Sequence, residues 1–521
     1  MTQDHQHAHW IPFEQAMRDG DGEAAERALA SAVQLEADQG TAFYRISTIA
    51  YRTGQMEMSV GSALRACEPP PAAPETRLDL AMHLMLLGEG EAARKLCLGL
   101  PDDVSGDLHL RAARQLTSLE DFASAEAALA SAARRGMSDG ELARFRARVH
   151  AALGRLPEAE AEFCGALRER RMAELDPAYL SRLGKASPQH NHVDALREAL
   201  AECEPGSPPV VGYAFALFGE YHDLGEYAQA WEMLQTGCAA KRAALRYDAE
   251  EDAVLMARLA QSPAHPPAPS TPSPEEPVPI FVLGLPRAGS TLVERILGNH
   301  SQVESTGEPR DFLVQLRLMC GLPGMEPLDR PLLDRMHGVD AGELGHRYLS
   351  HIRWRLGGRR YFIDKTPLNY LYIGLIRAAL PQAKIIHAYR EPMDACFSIY
   401  KFVFPWLYPF SYDQRELGRY YLHYRQVMAH WHQLHPGAIL DVAHETMLED
   451  PEGQVRRILD FCGLEDEPGL TELRRNQAPA ATGSNAQIRD GMTTRYRGQW
   501  RRYEAQLAPL RGVLAAGGLV E

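Results

Sequence analysis

Ile280-Phe281-Val282-Leu283-Gly284-Leu285-Pro286-Arg287-Ala288-Gly289-Ser290-Thr291-Leu292 decides the fold of the C-terminal half. Four consecutive apolar residues, Ile280 to Leu283, read as a buried strand, Gly284 to Thr291 as a tight loop, and Leu292 to Gly298 as the following helix. Glycines at 284 and 289 let backbone N–H groups turn inward, and the helix N-terminus adds partial positive charge. The loop is therefore read as an anion cradle. Its spacing is that of GxxxxGK[ST], but Ser290 occupies the lysine position. A nucleoside triphosphatase needs that lysine and a magnesium ion on its terminal phosphates, whereas a donor with a single 5′-phosphosulfate does not. Arg287 can supply the cation.

Two further segments extend the reading. Tyr361-Phe362-Ile363-Asp364-Lys365-Thr366-Pro367 is a short strand ending in a charged pair, and Ala383 to Pro392 is a strand that ends on Arg390 and leads into a helix carrying Ser398. A guanidinium at a strand end and a hydroxyl on the next helix can converge on one anion.

The loop from Pro286 to Leu292, the steps Asn299-His300 and Gly307-Glu308-Pro309-Arg310, the Asp364-Lys365-Thr366-Pro367 block and the Arg390-to-Ser398 spacing occur in an order that resembles sulfotransferases. The closest flavour is the tyrosylprotein sulfotransferases and their bacterial relatives fused to tetratricopeptide repeats. The resemblance implies 3′-phosphoadenosine 5′-phosphosulfate as donor, with no metal. It implies donor binding by Pro286, Arg287, Ala288, Gly289, Ser290, Thr291 and Leu292 around the 5′ end and by Arg390 and Ser398 at the 3′-phosphate. Ser484 would lie in a closing segment, Ser484 to Arg489 ahead of Tyr496 to Trp500, that folds over the donor. Glu308 is the implied base, with Lys365 on the bridging oxygen, Arg287 as a third catalytic group and Arg310 toward the acceptor. His300 competes for the role of base. Two positions depart from the pattern: Phe402, with Lys401 adjacent, stands where a relative often has another arginine, and His444 stands where an aromatic is expected near adenine. The acceptor is first a peptide or protein tyrosine, with a carbohydrate or small-molecule hydroxyl open. A P-loop kinase or nucleotidase, for which the Ile363-Asp364 strand end imitates a metal-binding aspartate, and a non-catalytic repeat scaffold are the other readings.

The N-terminal half is periodic. Small residues open a second helix at Ala25, Ser59, Ala93, Ala125, Ala159, Ala195 and Ala230, in steps of 34, 34, 32, 34, 36 and 35. Five residues before each lies a turn, holding Gly20, Gly54, Gly88, Gly154 or Gly225, with Glu120 and His190 as exceptions. This resembles about seven tetratricopeptide repeats over residues 8–258, an all-α solenoid whose inner face receives a peptide or protein. A Pro-rich linker, residues 262–279, would precede the α/β domain with its parallel sheet, residues 280–521.

The net charge of −14 argues against a general nucleic-acid binder, which needs a basic face. No run approaches eighteen apolar residues, and Met1 to Trp10 lacks the basic-then-apolar order of a leader, so a cytoplasmic protein without a membrane span is expected. Eight scattered cysteines read as reduced thiols, and His5, His7 and His9 as a solvated tail. Oligomeric state is not written in the sequence.

Overall fold

The computed structural model describes residues 8–137, 139–265, 276–476, 478–479 and 491–520. The chain forms two compact units that interleave in sequence, one of Met1–Met137 with Arg310–Arg355 and one of Ser138–Pro309 with Leu356–Glu521.

The first unit is helical. Ile11–Asp19 pairs with Gly22–Leu35, Gln39–Arg52 with Met56–Arg65, Pro74–Leu86 with Gly90–Leu98, and Gly106–Ser118 with Phe122–Arg134. The second helix of each pair starts three residues before its small residue, which puts Ala25, Ser59, Ala93 and Ala125 one turn in, all buried. The turn glycines Gly20, Gly54 and Gly88 have positive φ, and Glu120, the exception, adopts the same left-handed conformation with φ 61°. The conformation is thus kept where the residue is not. Within this unit Phe312 packs edge-on against Tyr348 at 5.6 Å.

In the second unit Asp139–Ala152 pairs with Leu156–Arg168, and Pro208–Leu224 with Tyr227–Ala244. Between them the repeat is irregular: Asp176–Leu180 is one short turn of helix, and Ala195 is shifted by one position in Val193–Ala201. The unit also holds a fully parallel five-stranded sheet in the order β2-β3-β1-β4-β5. Its strands are β1 (Val278–Leu283), β2 (Val303–Ser305), β3 (Tyr361–Asp364), β4 (Lys384–Tyr389) and β5 (Ile439–Ala443). β1 begins two residues ahead of the expected Ile280, so Val278 and Pro279 belong to the strand rather than to the linker. Proline is tolerated there because Val278 N–H donates to Arg360 on the β3 side, which leaves the Pro279 nitrogen facing β4, whose pairing starts only at Ile280. The helix after β1 also starts early: it runs Ser290–Leu297, not from Leu292, because Gly289 at φ 101° turns the chain directly into it.

Both faces of β1 are buried, as a parallel sheet requires. On one face Ile280, Val282, Ile363, Ile386 and Val442 pack with Val293, Ile296 and Leu297 of the first helix and with Val455, Ile458 and Leu459 of Pro451–Cys462. On the other, His387 of β4 bonds Tyr424 of the long helix Gln414–Leu434, whose Trp431 donates to the Tyr370 carbonyl. Chain direction changes sides between β1 and β4, the crevice where open α/β sheets bind ligands. All eight cysteines are free, and no helix among the described residues is long and apolar enough to cross a membrane.

The helix Pro208–Leu224 gives a direct test of this packing. A Cβ on Gly212 would sit 1.8 Å from the Glu174 carbonyl oxygen, whereas one on Gly219 would meet only Ser181 Oγ at 3.5 Å. Gly212→Ala should destabilise the protein by roughly 2 kcal/mol or more through overpacking, and Gly219→Ala should stabilise it by up to about 1 kcal/mol through helix propensity. Chemical denaturation of the two variants reads the opposite signs.

Candidate active site

The loop after β1 owes its shape to two close approaches. Gly284, at φ 137°, lies against β4 so tightly that a Cβ would be 2.3 Å from the Ala388 carbonyl oxygen. Gly289 faces His444, where a Cβ would be 2.6 Å from Nδ1. Between them Arg287 is left-handed, φ 66°, an uncommon state for a residue with a Cβ. The following helix has no side-chain cap at Gly289, so its first amides are offered to whatever lies beyond the N-terminus.

The opposite wall comes from β4 and the helix Pro392–Tyr400. Asp394, Phe397, Ser398 and Lys401 recur at helical spacing and line the same cavity as Arg287, Gly289, Ser290, Thr291, Leu292 and Arg390. The cavity holds about 850 Å³ including its open mouth, and its lining also contains His444, Leu448, Leu473 and Met492. Glu391 caps the helix, accepting from the N–H groups of Met393 at 3.1 Å and Asp394 at 2.7 Å. Arg390 donates through Nη2 to the Tyr496 carbonyl at 2.5 Å and lies 3.6 Å from Asp394, while its Nε is buried with no hydrogen-bond partner. Asp394 accepts the Gly498 N–H at 2.9 Å, and Lys401 donates to Gln499 Oε1 at 2.5 Å. The segment Tyr496–Gln499 is thereby tied to this wall.

Cations crowd the cavity. Burial, reinforced by Arg182 and Arg390, pushes the Arg287 guanidinium down to about 9. Burial beside Arg287 and Arg390 pushes Lys401 down to about 7, and burial with the same two arginines pushes His444 down to about 4. The Arg182 guanidinium lies 3.8 Å from the centre of the Phe402 ring and that of Arg287 4.9 Å from it.

A second cluster lies where Thr306 to Pro309 straps the end of β3. Thr306 N–H and Oγ1 both donate to the Ile363 carbonyl, Lys365 N–H donates to Gly307 O at 3.0 Å, and Thr366 Oγ1 donates to Pro309 O at 2.7 Å. The strap brings the Glu308 carboxylate onto the buried Lys365 ammonium, which also lies 3.8 Å from Glu294, one turn into the helix after the loop. Ser305 Oγ donates to Glu294 at 2.5 Å.

The structure therefore gathers Arg287, Gly289, Ser290, Thr291, Leu292, Arg390 and Ser398 around one cavity and pairs Lys365 with Glu308. Pro286 and Ala288 are buried in the loop itself. Arg310 is an exposed residue at the start of Asp311–Met319, in the other compact unit. Ser484, with the segment to Arg489, lies outside the described residues. His300 is buried with both ring nitrogens engaged, Nε2 donating to Glu465 O at 3.0 Å and Nδ1 accepting from Gln302 N–H at 3.1 Å, the pattern of a structural residue. Asp364 is also fully buried and accepts from Thr366 N–H and Asn369 Nδ2, so its carboxylate organises the turn that follows β3. Two cations were not assigned a role from sequence. Lys401, three residues after Ser398 on the same helical face, was legible by periodicity; Arg182, far away in sequence, was not.

Residues 279–468 match the sulfotransferase family, and the C-terminal half thus carries a sulfotransferase family domain. A curated protein of Aquifex aeolicus (strain VF5), itself uncharacterized, is 34% identical over 248 residues, which covers 46% of this chain and 32% of that protein. The chain spans about a third of the length of this relative. Among solved structures, the sulfotransferase domain from the curacin biosynthetic pathway is 18% identical with a TM-score of 0.27, covering 44% of this chain and 98% of that one. Sulfotransferase STF1 from Mycobacterium tuberculosis H37Rv is 14% identical with a TM-score of 0.29, covering 63% and 97%.

The cation cluster predicts a titration. Arg390→Gln removes a charge that opposes protonation of His444, so the imidazole should titrate about one unit higher than in the parent protein. Two-dimensional NMR of the histidine side chains measures it.

Proposed function

We propose that the protein is a sulfotransferase that uses 3′-phosphoadenosine 5′-phosphosulfate as donor and a hydroxyl, first a tyrosine in a peptide, as acceptor. The observation that carries the reading is the confinement of Arg287, Arg390 and Lys401 around one cavity at a helix N-terminus, with burial and mutual repulsion pressing Arg287 and Lys401 toward neutrality. Such a site gains most from a ligand with anionic groups at two places. The loop amides and Arg287 fit a 5′-phosphosulfate, Arg390 and Ser398 fit a 3′-phosphate, and Leu448, Leu473 and Met492 offer apolar surface to a base.

The donor supplies the sulfuryl group: its bond to the phosphate oxygen breaks as the acceptor oxygen bonds to sulfur. Glu308 takes the acceptor proton. Lys365, paired with Glu308 at rest, moves its ammonium to the bridging oxygen and offsets the charge that develops there. Glu294 and Ser305 hold Lys365 at the start of that path. The 34-residue helix pairs support reading the remaining helices as tetratricopeptide-type repeats that present a polypeptide acceptor.

Adenosine 3′,5′-bisphosphate without magnesium should raise the melting temperature, by about 2.7 kcal/mol of stabilisation at a hundredfold excess over its Kd; a requirement for ATP and magnesium would reverse the reading. Binding should favour the charged form of Lys401, so affinity is full below pH 7 and falls about fivefold from pH 7 to pH 8 as a proton must be taken up. Calorimetry should show that slope flattened in Lys401→Met. Glu308→Ala should lower turnover roughly 10²- to 10⁴-fold with bisphosphate affinity retained. Mass analysis of peptide, carbohydrate and phenol acceptors incubated with labelled donor identifies the product.

A further inference from the structure

The turn before Val193–Ala201 is the one among the seven where neither glycine nor a left-handed residue closes the helix pair; it carries His190 and His192. The turn is instead closed on itself, Ser187 N–H donating to His190 O and His190 N–H to Ser187 O. Both imidazoles meet one carboxylate. Glu160 Oε1 lies 2.7 Å from His190 Nε2 and 3.2 Å from His192 Nε2, and a ligand atom from each of the three residues falls within 4.8 Å of the others. Glu160 stands on the helix Leu156–Arg168.

His192 is oriented from behind. Its backbone N–H donates to Glu220 Oε2 at 3.1 Å and its Nδ1 faces Glu220 Oε1 at 3.0 Å, with Glu220 only 3% exposed. Glu220 takes the hydrogen bond from Nδ1, so Nε2 is the nitrogen directed at Glu160. Two electron-rich atoms 3.2 Å apart need a cation between them, either a proton or a metal. A carboxylate behind a histidine whose other nitrogen points into a cluster of donors is the arrangement that orients metal-binding imidazoles. In the other histidine-carboxylate cluster among the described residues, His387, His432 and Asp441, no carboxylate stands behind His387, whose Nε2 meets the Tyr424 hydroxyl.

We propose that Glu160, His190 and His192 form a site for zinc(II), and that Glu220 positions His192 in it. Two imidazoles and a carboxylate, with water in the fourth position, suit a borderline-soft tetrahedral ion rather than calcium or magnesium. On binding, any proton held on His190 Nε2 or His192 Nε2 passes to solvent as the metal takes the lone pair. The ion clamps Leu156–Arg168 to a turn that has no glycine closure of its own.

The test uses the full chain with His5, His7 and His9 replaced by alanine, so that the terminal histidines cannot hold metal. Zinc titration against a chromophoric chelator should show one submicromolar equivalent, weakened at least about 100-fold in His190→Ala, whose exposed side chain makes it safe for folding, and about 10- to 100-fold in Glu220→Gln. Cobalt(II) substitution should give the strong visible bands of a tetrahedral site, lost in His190→Ala. Failure of the tail-substituted protein to bind zinc, or unchanged affinity in His190→Ala with circular dichroism showing a native fold, overturns the site.

Discussion

The parallel pairing of β1 with β4 is the constraint from which the site follows. It sets Leu283 beside His387, so the chain leaving each strand emerges at the same end of the sheet and the Gly284 backbone rests on the Ala388 carbonyl. A side chain at 284 would force the two apart, and with them Arg287 and Arg390. Apolar packing of Ile280, Val282 and Ile386 under the loop supplies the free energy that holds this approach closed. The cavity is thus a by-product of strand register, lined afterwards by groups suited to an anion.

What lines it works against stability. Burial first, and repulsion between cations of one sign second, push Arg287 and Lys401 toward their neutral forms. The compensation is local: Arg390 is held by a carbonyl and by Asp394, Asp394 in turn by Gly498, and the helix beneath is capped by Glu391. None of these partners neutralises the cavity outright. An anion entering a site left short of negative charge in this way would recover energy that folding did not, the usual trade between stability and function.

How much of this was legible depended on the range of the interaction. The strand, loop and helix around Gly284 could be read because an apolar run, two glycines and a helix start are local signals. Only the edges moved, where Pro279 proved compatible with an unpaired side of β1 and Gly289 admitted Ser290 to the helix. The arginine-to-serine spacing was readable because a strand end and the next helix are joined by only a few residues, and Arg390 and Ser398 line one cavity. Glu308 and Lys365 were named separately, but the hydrogen bonds from Thr306 and Thr366 that bring them together depend on a strand pairing the sequence does not spell out. Arg182 was illegible because nothing near it in sequence refers to residue 402. The helical periodicity was readable as a step of about 34, yet compaction follows contacts rather than order, and residues 310–355 group with the first 137 residues.

Phe402 stands where a further arginine was expected, and its ring accepts two guanidiniums instead of contributing a third. An aromatic face attracts a cation without discharging it. A carboxylate in that place would steady Arg182 and Arg287 better, but it would also extinguish their field. With a neutral ring as anchor, both charges are restrained in position while their full potential stays directed outward, so the protein gains rigidity at this point without spending the attraction it offers to an incoming polyanion.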